Sequence, residues 1–244
     1  ALIVSANNYM DFKETFSTEN SHTINKKVVL RKSNSVKFVI DDEFYISNMS
    51  EKRREEISGI NYLIELFDPS KVVRIPDPDN ILIEGGDVIV MQDKLFVGKS
   101  GRTNDKGYEF LKERYAGKKE VIRIKIETDR DDHREHSVHL DCTFQPLGNN
   151  CAIVYEEGIK DLKELYENLN MPDENIFKPA EWQFVSMYPN VLSLSNDTVV
   201  IEKEFIELKY WLLNRGFKVI EVNFKQVSKL SGLLRCATLP LVRR

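Results

Sequence analysis

The feature that most constrains the fold of this chain is a repeat. Two short β-type runs, a helix and a third β-type run recur in that order three times across the middle and end of the sequence. In the first copy, residues 87–91 and 94–98 flank Gln92-Asp93. A helical stretch then runs over 105–115 with Tyr108, Leu111 and Tyr115 at helical spacing, Gly117 lies just past its end, and residues 121–126 alternate with period two. In the second copy, strands at 138–144 and 151–155 flank Gly148-Asn149-Asn150, followed by a predicted helix over 161–169 and a predicted strand over 183–188. In the third, 191–195 and 198–201 flank Asn196-Asp197, the helix covers 204–214 and stops at Gly216, and the strand covers 218–224. The N-terminal third is less regular: strands at 35–40, 43–47 and 72–75 surround a helix over 51–67 with Ser50 as its N-cap. The terminal segments, 1–5 and 234–241, are expected to pair into a fifth unit. A period of roughly 50 residues implies a propeller or array. The expectation is an α/β (α+β) chain of repeated ββαβ units, forming a pseudo-symmetric β/α propeller with one central site. No low-complexity linker divides it, so residues 1–244 read as a single domain.

Composition excludes several function classes. The net charge of -4 and pI near 5.7 leave no polybasic footprint for nucleic acid or an anionic membrane. No run approaches the roughly 18 apolar residues of a membrane span. The opening Ala1-Leu2-Ile3-Val4 gives way at once to Asn7-Asn8, so no signal-peptide pattern is expected, and reduced cytoplasmic thiols are the default. The three cysteines, Cys142, Cys151 and Cys236, are too few for a disulfide framework or a zinc site. His133 and His136 fall in a charged run and read as solvated loop, while Cys142 and Cys151 read as core. The sequence therefore calls for no metal and no cofactor, and leaves homo-oligomerisation open.

Four segments carry chemistry, in a fixed chain order. They are Glu84-Gly85-Gly86-Asp87, Gly98-Lys99-Ser100-Gly101-Arg102-Thr103-Asn104, His139-Leu140-Asp141, and Leu234-Arg235-Cys236-Ala237-Thr238-Leu239-Pro240-Leu241. Together, on a repeat of this kind, they resemble the guanidine-modifying (pentein) superfamily, which includes arginine deiminases, dimethylarginine dimethylaminohydrolases, arginine dihydrolases and amidinotransferases. The resemblance spans about residues 44–243. It implies a five-bladed β/α propeller, the pentein fold, with its site at the axis.

The chemistry gives each residue type a reason. A guanidinium is cationic and resonance-stabilised, and water alone barely attacks it. A thiolate of lowered pKa does, and the resemblance gives Cys236 that nucleophilic role. His139 is the general acid and base, and Glu84 orients and charge-stabilises it. Asp141 lies two residues beyond His139; on a strand both would point to one face, and its carboxylate would anchor the guanidinium through paired hydrogen bonds. By resemblance, Arg102 binds a substrate α-carboxylate, as Arg54 also could, and Asn48 contacts the guanidinium. Asp87 is a further carboxylate assigned to substrate binding.

Two segments depart from the family pattern. The turn before the nucleophile reads Ser231-Gly232-Leu233-Leu234 where relatives are glycine-rich, and a bulky Leu233 would restrict positive φ there. The N-terminal unit is also short. The expected activity is hydrolysis of a guanidinium C–N bond in arginine or an arginine derivative, through an amidino-cysteine intermediate. An aspartate two after the histidine resembles deiminases, dihydrolases and amidinotransferases, and Asn48 resembles the dihydrolase group. Transfer of the amidino group to an amine is the alternative. A third reading is a non-catalytic binding protein, since the same fold serves a ribosome anti-association factor, eukaryotic translation initiation factor six.

Overall fold

Gln92-Asp93 lacks the Asn-Gly dipeptide that most favours a two-residue hairpin turn. It turns the chain nonetheless, because Gln92 takes a φ of 54°. Asp41 at 53°, and Asn149 and Asn150 at 53° and 54°, serve the same purpose in two other hairpins. The structure, a computed structural model, describes residues 2–4, 37–49, 64–65, 67–76, 80–128, 137–228 and 232–240.

Each hairpin opens a three-stranded sheet of the same design. The hairpins are β2 (Lys37–Ile40) with β3 (Glu43–Ile46), β5 (Val88–Met91) with β6 (Lys94–Lys99), β8 (Phe144–Pro146) with β9 (Ala152–Val154), and β11 (Leu192–Ser193) with β12 (Thr198–Glu202). All four are antiparallel. The second strand of each pairs in parallel with a strand that follows a crossover: β4 (Val72–Arg74), β7 (Glu120–Lys125), β10 (Ile176–Phe177) and β13 (Lys218–Val222). A parallel pair needs such a crossover. Helices α1 (Asp105–Arg114), α2 (Leu162–Leu169) and α4 (Ile206–Leu213) supply three of them. The fifth sheet joins the two ends of the chain: β1 (Leu2–Val4) runs antiparallel to β14 (Thr238–Pro240), as the terminal pairing required.

The core forms where each helix packs against its own sheet and the one before it. Leu111 and Tyr115 of α1 meet Leu95 and Val97 of their own sheet and Phe38, Tyr45 and Val73 of the first. Leu165 and Leu169 of α2 meet Val154 and Ile176 on one side and Phe96, Ile122 and Ile124 on the other. Leu208 and Leu212 of α4 meet Val199 and Ile201 together with Ile153 and Leu147 of the preceding unit. Polar bonds tie α1 to the first sheet as well. Tyr115 Oη donates to Glu43 Oε2 at 2.8 Å, and Arg114 Nη2 bonds Glu43 Oε1 at 2.7 Å. No helix among the described residues is long and apolar enough to cross a membrane.

Two local expectations are corrected. Residues 183–188 are not a strand: Glu181–Val185 forms the short helix α3, and the third strand of that sheet is β10, further upstream. Gln183 reaches back to accept from the Ala180 N–H at 2.8 Å, a helix-start contact. Burial follows helical rather than alternating order, with Phe184 buried while Trp182 and Val185 are exposed. Residues 138–144 are likewise not a continuous strand. His139 is extended, Leu140–Cys142 forms a 3-10 turn, and only then does β8 begin. The helix expected over 51–67 lies largely outside the described residues, as do Ser50, Arg54, His133 and His136.

Candidate active site

The Glu84-Gly85-Gly86-Asp87 segment enters β5 through a 3-10 turn, and its two acids are fully buried. A buried carboxylate is costly unless hydrogen-bonded, and the loop after β6 provides the bonds. Ser100 Oγ donates to Asp87 Oδ2 at 2.6 Å, while the same oxygen accepts from the N–H groups of Arg102 and Thr103. Thr103 Oγ1 in turn accepts from the Glu84 N–H at 3.1 Å. The first two motifs are thus one folded object. The third joins it directly: the Leu140 N–H donates to Asp87 Oδ1 at 2.9 Å. That bond draws the chain into the Leu140–Cys142 turn, so the turn, not strand alternation, places His139 and Asp141 together.

The glycines allow this convergence. A Cβ on Gly86 would stand 2.7 Å from His139 Cγ, and one on Gly98 would stand 2.6 Å from Asp87 Oδ1 and 2.8 Å from Leu140 Cβ. With both positions open, His139 Nε2 reaches Glu84 Oε2 at 2.8 Å in a buried pair. Burial alone would push the imidazole towards the neutral form. The Glu84 hydrogen bond and the charges of Asp87, Asp141 and Glu84 outweigh it and raise the His139 pKa to about 9. The ring is therefore an imidazolium at neutral pH and can give up a proton. Burial lifts the Asp87 carboxyl to about 6, against the His139 charge and the bonds from Ser100, Thr103 and Leu140.

Cys236 sits on a turn that follows Gly232. Gly232 has a φ of +152°, and a Cβ there would stand 2.9 Å from Cys236 Cβ. The positive φ thus falls on the glycine, leaving Leu233 free to bury its side chain in the core. The expected restriction at Leu233 does not arise. The turn is held by Asn190, a fully buried residue ahead of β11. Its Oδ1 accepts from the N–H groups of Leu233 at 3.0 Å and Cys236 at 3.1 Å. Its Nδ2 donates to Cys236 Sγ at 3.1 Å and to the Asp141 carbonyl at 3.3 Å. Two N–H donors on one side and two acceptors on the other leave one orientation for the amide.

The thiol is only half-buried, whereas Asp141 beside it is fully buried. A hydrogen bond from Cys142 holds the Cys236 pKa below the ordinary thiol range. The His139 charge and the Asn190 amide assist, against burial and the Asp141 charge. A carboxylate oxygen of Asp141 and the sulfurs of Cys142 and Cys236 all lie within 4.8 Å of one another. The cluster combines a lowered thiol, a charged imidazolium and a buried carboxylate, the groups needed to attack a cationic carbon and protonate what leaves it.

The remaining sequence-based assignments fare unevenly. Arg102 stands at the edge of the cluster, with Nη1 3.8 Å from Glu84 Oε1. Asp87 directs both oxygens into the protein, at Ser100 and Leu140, so its contacts position other groups. Asn48 is buried and bridges Ile83, next to Glu84, but its Nδ2 donates to the Ile81 carbonyl at 3.0 Å. Arg54 lies outside the described residues. Asn190 escaped the sequence reading because Pro189-Asn190 looks like ordinary turn punctuation. Ser100, Thr103 and Cys142 belong to recognised segments, and only the folded contacts give them roles.

The fold and this constellation define the guanidine-modifying (pentein) superfamily. Within it the chain belongs to the family described as N,N dimethylarginine dimethylhydrolase, eukaryotic, whose model matches residues 22–243. The chain is 28% identical over 211 residues to YkgA of Bacillus subtilis, covering 84% of this chain and 67% of that protein. It is 25% identical to N(G),N(G)-dimethylarginine dimethylaminohydrolase of Pseudomonas aeruginosa, over 78% of this chain and 67% of the enzyme. It is 23% identical to L-arginine:L-lysine amidinotransferase of Pseudomonas savastanoi pv. phaseolicola, over 84% of this chain but only 52% of that protein. Among solved structures, the N-terminal domain of ArgZ, a cyanobacterial arginine dihydrolase, superposes with a TM-score of 0.72 at 21% identity, over 86% of this chain and 74% of that one.

Proposed function

We propose that this chain is a cysteine-dependent hydrolase of a guanidinium C–N bond in arginine or an N-methylated arginine. The observation that carries the reading is the placement of the Asp141 carboxylate within 4.8 Å of the Cys236 sulfur, beside the His139–Glu84 pair. A carboxylate there supplies the negative charge and paired acceptors that a guanidinium seeks, and holds its carbon near the nucleophile. In the reaction, the Cys236 thiolate adds to the guanidinium carbon. His139 donates its proton to the departing nitrogen, the C–N bond breaks, and an amidino-cysteine forms. The neutral imidazole then takes a proton from water as the water adds to the same carbon, the C–S bond breaks, and the thiolate is regenerated. Glu84 orients His139 throughout and favours its charged form before each proton donation. Arg102 is the candidate for a substrate α-carboxylate. We assign the five sheets as blades of a pentein propeller, a reading supported by the regular succession in which each helix packs on the preceding sheet.

The test is a product assay on purified protein with arginine, asymmetric dimethylarginine and agmatine, scored for citrulline, dimethylamine, ammonia and ornithine. The expected result is turnover of at least one guanidine that is lost in C236S. Absence of turnover with all of them, together with failure of a haloacetamidine to alkylate Cys236, would favour the non-catalytic binding protein. The similarity to an amidinotransferase supports a second reading, transfer of the amidino group from Cys236 to an amine. Product that appears only with an added amine acceptor would select it.

A further inference from the structure

The reaction above uses one sulfur, yet two stand at its centre. Cys142, which immediately follows Asp141, is buried, and its sulfur lies within 4.8 Å of Cys236 Sγ. Its sulfur stands 3.7 Å from Asp141 Oδ1, and its S–H can bond either that oxygen or the Cys236 sulfur. The third cysteine, Cys151, is also buried but points elsewhere: its S–H donates to the Asn149 carbonyl, in the β8–β9 hairpin, at 3.4 Å.

We infer that Cys142 and Cys236 form an oxidation site, in which a peroxide converts the two thiols into a reversible intramolecular disulfide that removes the nucleophile. The two sulfurs have the division of labour this needs. Cys236 is half-buried and biased towards the thiolate by Cys142, His139 and Asn190. Cys142 is buried and biased towards the protonated thiol by the bond to Cys236, by burial and by Asp141. The Cys236 thiolate attacks one oxygen of hydrogen peroxide, the O–O bond breaks, and a sulfenic acid forms with release of hydroxide. Cys142 sulfur then attacks Cys236 sulfur, and the sulfenic hydroxyl leaves with the Cys142 proton as water. Each sulfur gives up one electron, and the peroxide accepts both. Closure to the disulfide length of about 2.0 Å asks for a shift of at most a few ångströms, on the turn that hangs from Asn190. A small-molecule or protein dithiol reverses the step. The chemistry stands on the two thiols and is independent of the substrate; only the accompanying loss of turnover rests on the proposed hydrolase.

The test treats the reduced full chain with stoichiometric hydrogen peroxide, blocks remaining thiols with N-ethylmaleimide, and maps peptides by mass without reduction. The expected product links the Cys142 and Cys236 peptides, leaves Cys151 alkylated, and returns to three free thiols with dithiothreitol. C151S should keep the link. C142S should lose it and carry its oxidised Cys236 on to a sulfinic acid that dithiothreitol does not restore. Wild-type protein in which Cys236 becomes sulfinic while Cys142 remains alkylated would overturn the inference, whatever the variants do. A formed link in protein that never turned over a guanidine would overturn the hydrolase and leave the oxidation site standing.

Discussion

Asn190 Nδ2 donates a hydrogen bond to Cys236 Sγ at 3.1 Å, while Asn190 Oδ1 accepts from the N–H of the same cysteine. One amide, from a different repeat unit, therefore sets both the position of the proposed nucleophile and part of its charge. In N190A, the Leu233 and Cys236 N–H groups lose their acceptor. Each unsatisfied buried donor costs about 1–3 kcal/mol, so thermal unfolding should shift down by several degrees. In N190D the acceptor is retained and the donor replaced by a negative charge. That variant should unfold closer to wild type but show a Cys236 pKa raised above it, read from the pH dependence of iodoacetamide alkylation. An unchanged alkylation profile in both variants would remove the role assigned here.

His139 should titrate near pH 9, observable by NMR of the imidazole. Its folded pKa is raised above the ordinary 6.5, so its contribution to stability is fully present below about pH 6.5 and lost as the pH rises through about 9. The unfolding free energy of wild type should fall across that window more steeply than that of H139N. E84Q removes the hydrogen-bonded charge that does most to raise the pKa, and should move the titration down. Loss of general acid catalysis should lower kcat by about 10²–10⁴-fold in H139N.

D141N separates thiol activation from substrate anchoring. The Asp141 charge works against the thiolate, so the Cys236 pKa should fall further in the variant and alkylation at neutral pH should quicken. Turnover should nonetheless drop, because removing one member of a buried ion pair costs about 3–5 kcal/mol, about 10²-fold or more in kcat/KM. Faster alkylation with unimpaired kcat/KM would show that Asp141 does not hold the guanidinium.

Glycine substitutions test the convergence of the motifs. G86A drives a methyl to 2.7 Å from His139 Cγ, and G98A one to 2.6 Å from Asp87 Oδ1. Both should destabilise by about 1–3 kcal/mol through overpacking and depress kcat. G101A, in the same loop but with nothing within 4 Å of the added Cβ, should unfold within about 0.5 kcal/mol of wild type. Chemical denaturation of the three variants checks the order.

Much of the fold was legible because hairpins and amphipathic helices are local. The first and third repeats stand nearly where period and turn chemistry place them, in β5–β6–α1–β7 and β11–β12–α4–β13. The second misled twice. Residues 183–188 carry aromatic and apolar types that suit a strand, but the Gln183 contact to Ala180 starts a helix instead. Residues 138–144 alternate like a strand, but Asp87, more than fifty positions away, captures the Leu140 N–H and bends them.

By itself the sequence determined the chemical vocabulary of this protein: Glu84, His139, Asp141 and Cys236, in that order, on a repeating scaffold. Residue type and chain order are properties of a one-dimensional string. Only the tertiary structure decided how those groups meet and what each one touches. It brought Asn190 to the thiol, aimed Asp87 at Ser100 and the Leu140 N–H, and set Cys142 beside Cys236. Those outcomes depend on contacts between segments remote in sequence. A hydrogen bond or a charge at a few ångströms shifts a pKa or bends a turn, and separation along the chain carries no record of that distance.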